Sequence, residues 1–222
     1  MANTFKFGNE NWAVKDGKVL AYNDENNAFK PLPFTFARSS SATRVDNEGL
    51  IKTTDSGFAR IDFLNNTSGH LLLEPSSTNL VTYSEDFSQW SNDGNQTSAS
   101  IITDTNPDGT SSVYQIDLNT GGNLYQTITV SSSTDYTLSI YIKGSGSGKL
   151  VLSNAQSSPE NSLDFTATNE WQRIKLTGSS AHTSIRVAIG SWSNSSANGT
   201  IQIYGAQLEQ QSYATSYIPT TG

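Results

Sequence analysis

The chain has 222 residues, a net charge of −7 at neutral pH and no cysteine. An acidic chain lacks the Lys and Arg clusters that phosphate contacts require, so nucleic acid is excluded as a partner. No apolar run approaches the roughly 18–20 residues of a membrane span, and the first residues lack the charged and apolar segments of a secretory signal. We therefore expect a protein made in the cytoplasm without a signal peptide and without membrane insertion.

The composition is dominated by small polar residues. The chain contains 33 Ser, 25 Thr and 20 Asn, whereas the whole hydrophobic set makes up 34% of the residues. Nine Tyr, nine Phe and four Trp are nevertheless too many for a chain that never packs. This balance is typical of a β protein with a small core and much solvated strand surface.

The first 80 residues contain short apolar runs, each followed by turn residues, at 34–36, 42–45, 50–51, 58–63 and 70–73. Turn residues at such short intervals favour hairpins, and two-stranded hairpins bury too little apolar surface for an independent core. We predict an N-terminal, hairpin-rich arm over residues 1–80 that packs on the main domain or on another subunit.

The remainder of the chain, 81–222, shows the two-residue period of strands. In the segment 135–143, apolar residues alternate with polar residues and one tyrosine, which predicts a strand with one buried face. The apolar set is Tyr136, Leu138, Ile140 and Ile142, and the intervening set is Thr137, Ser139, Tyr141 and Lys143. Further β-prone runs occur at 97–103, 112–118, 123–130, 149–154, 171–177, 182–190 and 200–209. Gly-, Asn- and Pro-rich turns separate these runs, so the pattern predicts an all-β, antiparallel sandwich or barrel.

Two groups of motifs resemble a known family. The segments FARSSSATRVDNEGLI (36–51), ARIDF (59–63) and LLLEPSSTNL (71–80) resemble a stretch found in tailed-phage virion fibre and spike proteins. The segments YSEDFSQW (83–90), PDGT (107–110), YTLSIYIK (136–143), EWQR (170–173), IYGAQLE (203–209) and YATSYIPT (213–220) resemble the jelly-roll domain of those proteins. That domain is similar to carbohydrate-binding modules of the family 4/9 type.

The resemblance implies a fold, a location and partners. It implies a jelly-roll β-sandwich over residues 81–222, with the arm 1–80 used for virion attachment. It also implies a virion surface protein of the head or tail, homotrimeric, that contacts other virion proteins and adsorbs to host glycans. In the carbohydrate-binding modules an acidic residue of the last strand helps to hold a structural calcium ion, whereas this chain has Gln207 there. Glu85 and Asp86 are the remaining candidate calcium ligands, because calcium prefers oxygen donors that include carboxylates.

Four residues are candidate glycan contacts. Trp192 lies in a polar segment where an aromatic ring has little core to join, so we expect an exposed binding platform; the alternative is that it closes one end of the sandwich. Tyr125 and Tyr141 occupy the polar sides of their strands, and with Gln202 they are predicted to line one concave groove. The alternative for both tyrosines is ordinary exposure on an antiparallel sheet.

The sequence contains no recognisable catalytic constellation. It has no Gly-x-Ser-x-Gly elbow, and its two histidines, His70 and His182, are not spaced as metal ligands. We therefore expect a non-enzyme without a cofactor, apart from the calcium ion considered above. Two alternatives remain: a decoration or assembly protein that binds no glycan, and a polysaccharide depolymerase, whose distant carboxylate pair would be invisible in sequence.

Overall fold

The computed structural model of the protein describes residues 12–15, 18–23, 28–31, 37–94, 99–118, 122–153, 159–192 and 197–222. It separates into two compact units, Met1–Pro75 and Ser76–Gly222. The apolar run predicted at 34–36 lies outside the described residues. A search of the described residues finds no helix long and apolar enough to cross a membrane.

The first unit consists of short antiparallel strand pairs. Its strands are β1 (Trp12–Lys15), β2 (Lys18–Asn23), β3 (Ala28–Pro31), β4 (Ala42–Val45), β5 (Ile51–Thr54), β6 (Ile61–Asp62) and β7 (His70–Leu71). They form a β1-β2-β3 sheet and the two pairs β4-β5 and β6-β7. At the β4-β5 turn, Asp46 Oδ1 accepts hydrogen bonds from the backbone N–H groups of Glu48 and Leu50, and Gly49 supplies the left-handed φ of +83°. The predicted hairpin-rich architecture is confirmed.

The second unit is a sandwich of two five-stranded antiparallel sheets. Its elements are the 3₁₀ helix η1 (Phe87–Gln89), β8 (Ser91–Asp93), β9 (Ser100–Thr103), β10 (Ser112–Asp117), β11 (Asn123–Thr129), β12 (Thr134–Gly144), β13 (Ser147–Ser153), β14 (Pro159–Thr166), β15 (Gln172–Ser180), β16 (Ser184–Gly190) and β17 (Thr200–Glu209). Sheet I has the strand order β15-β12-β17-β10-β9, and sheet II has the order β14-β13-β16-β11-β8. The predicted all-β, antiparallel jelly-roll sandwich is confirmed.

The alternating side chains of both sheets meet in one core. On β12, Tyr136, Leu138, Ile140 and Ile142 are all at most 1% exposed and belong to a single apolar cluster with residues of sheet II. The intervening residues of each strand lie on the outer faces, which point away from this core. The fold thus presents two separate outer faces, and any functional site on one face is remote from the other.

The pairing of β12 with β17 contains a β-bulge. Ser139 pairs with Gln207, but Tyr141 pairs with Tyr204, so β17 carries an additional residue between these pairs. Gly205 adopts a left-handed φ of +63° within this segment. Tyr204 pairs with Tyr141 and lies with it on the outer face of sheet I, whereas Ile203 and Ala206, on either side of the bulge, both face the core.

Candidate functional site

Trp192 does not form an exposed platform. Its side chain is only 9% exposed and packs with Val151 and Ala188, which are paired residues on the outer face of sheet II. Trp192 has a left-handed φ of +40°, and its backbone N–H donates to Asn123 Oδ1 at 2.9 Å. The expectation of exposure is wrong because this turn folds the indole back over a small residue, Ala188, instead of leaving it in solvent.

Tyr125 belongs to the same outer face of sheet II. It packs against the cluster that contains Trp192, and the guanidinium of Arg186 stacks on its ring at 3.7 Å from the centroid. Arg186 in turn forms an ion pair of 2.6 Å with Asp93. Tyr125 is therefore half-buried, and its ring already has a cation–π partner within the protein, the guanidinium of Arg186.

Tyr141 and Gln202 lie on the outer face of the other sheet. β12 and β17 belong to sheet I, whereas β11, which carries Tyr125, belongs to sheet II. The expectation that Tyr125 and Tyr141 line a single groove is therefore wrong, because the sandwich separates them. Gln202 Nε2 donates to Asp104 Oδ2 at 2.7 Å, and Lys143 Nζ lies 2.9 Å from the same oxygen.

Tyr141 is one member of a triad of tyrosine rings, which is completed by Tyr204 and Tyr217. The three ring centroids lie 5.6 to 6.4 Å apart in tilted or edge-to-face orientations. The guanidinium of Arg173 covers the Tyr141 ring at 5.4 Å. The absence of a side chain at Gly205 leaves room for this packing, since a Cβ at that position would approach the Tyr217 ring to 3.1 Å.

Next to the triad, a cleft of about 690 Å³ lies where the segments 83–86, 106–112 and 219–221 meet β10 and β17; we call it the tyrosine cleft. Three tyrosines, three carboxylates, one amide and several hydroxyl groups converge on it. Its lining comprises Tyr83, Glu85, Asp86, Asn106, Asp108, Thr110, Ser112, Tyr114, Ile203, Tyr204, Pro219, Thr220 and Thr221. These residues come from four distant segments of the chain, and none of them was a predicted glycan contact.

Hydrogen bonds between the segments hold the cleft together. The Ser84 hydroxyl accepts a bond of 2.8 Å from the backbone N–H of Thr220, and the Thr220 hydroxyl donates to the carbonyl of Val81 at 2.6 Å. The turn that begins at Asn106 closes through its N–H bond to the carbonyl of Thr110. The cleft is consequently a preformed site with walls fixed by backbone contacts.

Tyrosine hydroxyls surround the carboxylates of the cleft. Glu85 Oε1 accepts from the hydroxyls of Tyr204 and Tyr217 at 3.0 and 2.9 Å. Asp86 Oδ1 accepts from the hydroxyl of Tyr114 at 2.6 Å and from the hydroxyl of Ser88 at 2.6 Å. Each carboxylate therefore has ordered donors on one side and the open cleft on the other.

These contacts set the protonation states of the groups. Burial, followed by the charge of Glu85, raises the pKa of Tyr204 and of Tyr217 well above the usual tyrosine range. The hydrogen bonds from Ser88 and Tyr114 lower the pKa of Asp86. The tyrosines thus remain neutral donors, and Asp86 remains an ionised acceptor.

The residues considered for calcium make hydrogen bonds within the protein. Glu85 and Asp86 accept the tyrosine hydroxyls described above, and the described residues contain no group of three or more His, Asp or Glu side chains arranged to hold a metal ion. Gln207 is fully buried: its Nε2 donates to Glu209 Oε2 at 2.7 Å, and its Oε1 accepts from the N–H of Ile218 at 2.6 Å. The residues present do not fit a calcium site, since the Gln207 amide makes the contacts that join the last strand to the segment after it.

The cleft has the chemistry of a site for a polyhydroxylated ligand. Tyr83 is 37% exposed and lines the cleft, and the hydroxyl end of its ring lies against Gly222. Sugar rings expose C–H groups that pack on the negative face of an aromatic ring, and their hydroxyls donate strong hydrogen bonds to carboxylates. Sequence reasoning missed this site, although the segment YSED (83–86) was already part of the family motif.

The known proteins that resemble this chain resemble it in three-dimensional structure and not in family sequence. No family model matches the chain, and no curated protein matches it. Similar solved structures include a family 61 carbohydrate-binding module with β-1,4-galactotriose, at 15% identity and a TM-score of 0.45, over 61% of this chain and 100% of the module.

Two longer proteins contain a similar domain. One is the CBM22-1–GH10 portion of a Clostridium thermocellum xylanase with xylohexaose, at 14% identity and a TM-score of 0.46, over 66% of this chain and 30% of that chain. The other is the enzymatically active domain of tailspike protein 4 from bacteriophage CBA120, at 16% identity and a TM-score of 0.41, over 59% of this chain and 21% of that chain. At this level of likeness, function has to be argued from the cleft itself.

Proposed function

We propose that this protein binds glycans and that the tyrosine cleft is its binding site. The observation that carries the proposal is the convergence of Tyr83, Tyr114 and Tyr204 with Glu85 and Asp108 on one preformed cleft of about 690 Å³. This volume lies within the range of small-ligand sites. The tyrosines supply aromatic walls, and the larger polar part of the lining suits a polyhydroxylated ligand.

Tyr83 is the principal stacking surface in this proposal. It is the most exposed tyrosine of the cleft, and its backbone φ of +52° is an unfavourable conformation for a residue other than glycine. The Trp90 indole N–H donates to the carbonyl of Tyr83 at 3.2 Å, which helps to hold this conformation. A ring held in a strained backbone position at the mouth of a cleft is consistent with a binding role.

The carboxylates of Glu85 and Asp108 provide acceptors for sugar hydroxyls. Glu85 is exposed, and the tyrosine hydroxyls occupy only its Oε1 among the bonds described above. Asp108 Oδ1 accepts from the N–H and hydroxyl of Thr110 at 2.9 and 2.7 Å, which orients the carboxylate at the cleft wall. Oriented carboxylates lose little entropy when they accept a ligand hydroxyl.

We further propose that the site binds glycans without cleaving them. Glycoside hydrolysis needs a general acid, which is a carboxyl group of raised pKa beside a second carboxylate. The pKa of Asp86 is shifted in the opposite direction, because Ser88 and Tyr114 donate hydrogen bonds to it. A reducing-end assay on any glycan that binds would detect product release if this reasoning failed.

The biological setting that we propose is the surface of a virion. It is supported by the order of the fibre- and spike-like motifs along residues 36–220, and it includes a homotrimer, contacts of the N-terminal arm with other virion proteins, and adsorption to host glycans. Linked sites in a trimer would strengthen weak individual contacts through avidity. Immunogold labelling of purified particles tests this setting, and absence of the protein from particles would contradict it.

The binding proposal is tested with a glycan array and two tyrosine variants. Tyr83→Ala is expected to weaken binding about tenfold, since one aromatic stacking contact is lost. Tyr213→Ala is the matched control, because Tyr213 is 50% exposed in the same unit but does not line the cleft. Absence of binding across the array, or equal losses in the two variants, would overturn the proposal.

A further inference from the structure

The tyrosine cleft carries a strong and one-sided charge. Three carboxylates, those of Glu85, Asp86 and Asp108, line it, whereas none of its lining residues is Lys or Arg. The hydrogen bonds described for these carboxylates come from hydroxyl and backbone N–H groups, which stabilise an anion without cancelling its charge. The local potential in the cleft is therefore negative, and a cleft with low-dielectric walls concentrates that potential.

The wall of the tyrosine cleft also contains a buried acceptor. Asn106 lines the cleft and is only 5% exposed. Its Nδ2 donates to Thr110 Oγ1 and to the carbonyl of Ser112, but its Oδ1 has no hydrogen-bond partner among the described residues. A buried acceptor without a donor is costly, and this oxygen itself has almost no accessible surface, so the free protein carries this cost within the cleft wall.

Building on the proposed glycan-binding function, we propose that the tyrosine cleft is selective for basic glycans, which carry free amino groups, and discriminates against glycans with carboxylate groups. A protonated amino sugar brings three N–H donors and one positive charge. It forms charge-assisted hydrogen bonds with the carboxylates and interacts favourably with the ring of Tyr83. A uronate brings a negative charge next to Glu85 and Asp108 and is repelled.

The experiment uses three oligosaccharides with the same β-1,4 linkage whose sugar residues are positively charged, neutral or negatively charged. They are glucosamine, glucose and glucuronate oligomers of equal length, titrated calorimetrically into the full chain at about pH 5.5, where carboxylates of ordinary pKa are ionised. We expect affinities in the order glucosamine, glucose, glucuronate, with about fivefold between neighbours, as for partly exposed charge pairs. The preference for glucosamine should diminish as salt screens the charges.

Isosteric variants locate the effect. Glu85→Gln and Asp108→Asn retain an acceptor oxygen but remove the charge, so each is expected to lower the affinity for the glucosamine oligomer more than the affinity for the glucose oligomer and thereby to reduce the glucosamine preference. Asp135→Asn is the control: Asp135 is exposed in the same unit, the substitution changes the net charge equally, and the residue does not line the cleft.

The two proposals fail in different ways. Equal affinity for glucosamine and glucose, or binding of glucuronate as tightly as glucose, overturns the charge selectivity while glycan binding stands. An equal effect of Asp135→Asn and Glu85→Gln also overturns it, because selectivity would then follow net charge and not the cleft. No binding of any of the three oligomers overturns the selectivity, whereas the glycan array decides the binding function separately.

Discussion

Replacing Gln207 by Glu introduces a second carboxylate into a buried site. Gln207 and Glu209 are both fully buried, and Gln207 Nε2 lies 2.7 Å from Glu209 Oε2. The Glu209 carboxylate also accepts from the N–H of Thr215 at 2.9 Å. The substitution exchanges the donor at 2.7 Å for an anion, and the acceptor oxygen of residue 207 remains available to Ile218.

The expected destabilisation follows from Coulomb's law. Two unit charges about 4 Å apart interact by about 4 kcal/mol at an effective dielectric constant of about 20. We therefore expect Gln207→Glu to lower the free energy of unfolding by about 4 kcal/mol at neutral pH. Gln202→Glu is the matched control, because it places the same group beside Asp104, whose side chain is 33% exposed and paired with Lys143. That substitution is expected to cost less than about 1 kcal/mol.

The pH dependence distinguishes charge repulsion from poor packing. The repulsion raises the pKa of one carboxyl of the new pair in the folded state above its unfolded value of about 4.3. The folded variant then binds a proton more tightly than the unfolded chain, so the penalty is complete above the folded pKa and shrinks as the pH falls through it. Urea denaturation of variant and wild type at neutral pH and at about pH 4 measures this. A loss that is the same at both pH values would refute the reasoning.

Three further substitutions test other parts of the structure. The pKa of Asp104 is lowered to about 2 by hydrogen bonds, first from Lys143 and then from Gln202. The ionised carboxylate should therefore contribute stability above about pH 4 and lose it as the pH falls toward 2, and the contribution should be at most about 1 kcal/mol because the side chain is partly exposed. An NMR titration of the Asp104 carboxyl in the Lys143→Met variant should show a higher pKa. Gly205→Ala should destabilise the fold by about 1–3 kcal/mol, since φ is +63° and the new Cβ meets the Tyr217 ring at 3.1 Å, and an unchanged melting temperature would contradict this account. Trp192→Ala should cost about 2–4 kcal/mol in urea denaturation without affecting glycan affinity, because the indole is buried outside the cleft.

The strands with a clear two-residue period were predictable from sequence. The segment 135–143 lies within β12, and its apolar residues face the core as the alternation indicated. The strand β14 was missed, although it pairs with β13 over its length. Its sequence, PENSLDFT, contains few apolar residues, and its position at the edge of sheet II depends on pairing with a partner that a local pattern cannot identify.

The burial of Trp192 is indicated by a sequence feature of two strands, β13 and β16. Both β13 and β16 contain three consecutive apolar residues, so each strand has an apolar side chain on its outer face as well as in the core. Val151 and Ala188 are these outer residues, and they pair directly. Two such runs in one chain predict an apolar patch that requires a cover, and Trp192 is that cover.

The sequence by itself determined the class of fold: strands of period two, separated by turn residues, with aromatic and branched side chains on one face of each strand. It determined this because alternation and turn chemistry are local properties. Only the tertiary structure decided which tyrosines share a face, because the assignment of β11 and β12 to different sheets is set by long-range pairing. The tyrosine cleft likewise arises where Tyr83, Tyr204 and Thr220, which are far apart in the chain, line one cavity, and the hydrogen bond from Thr220 to Ser84 joins two of these segments.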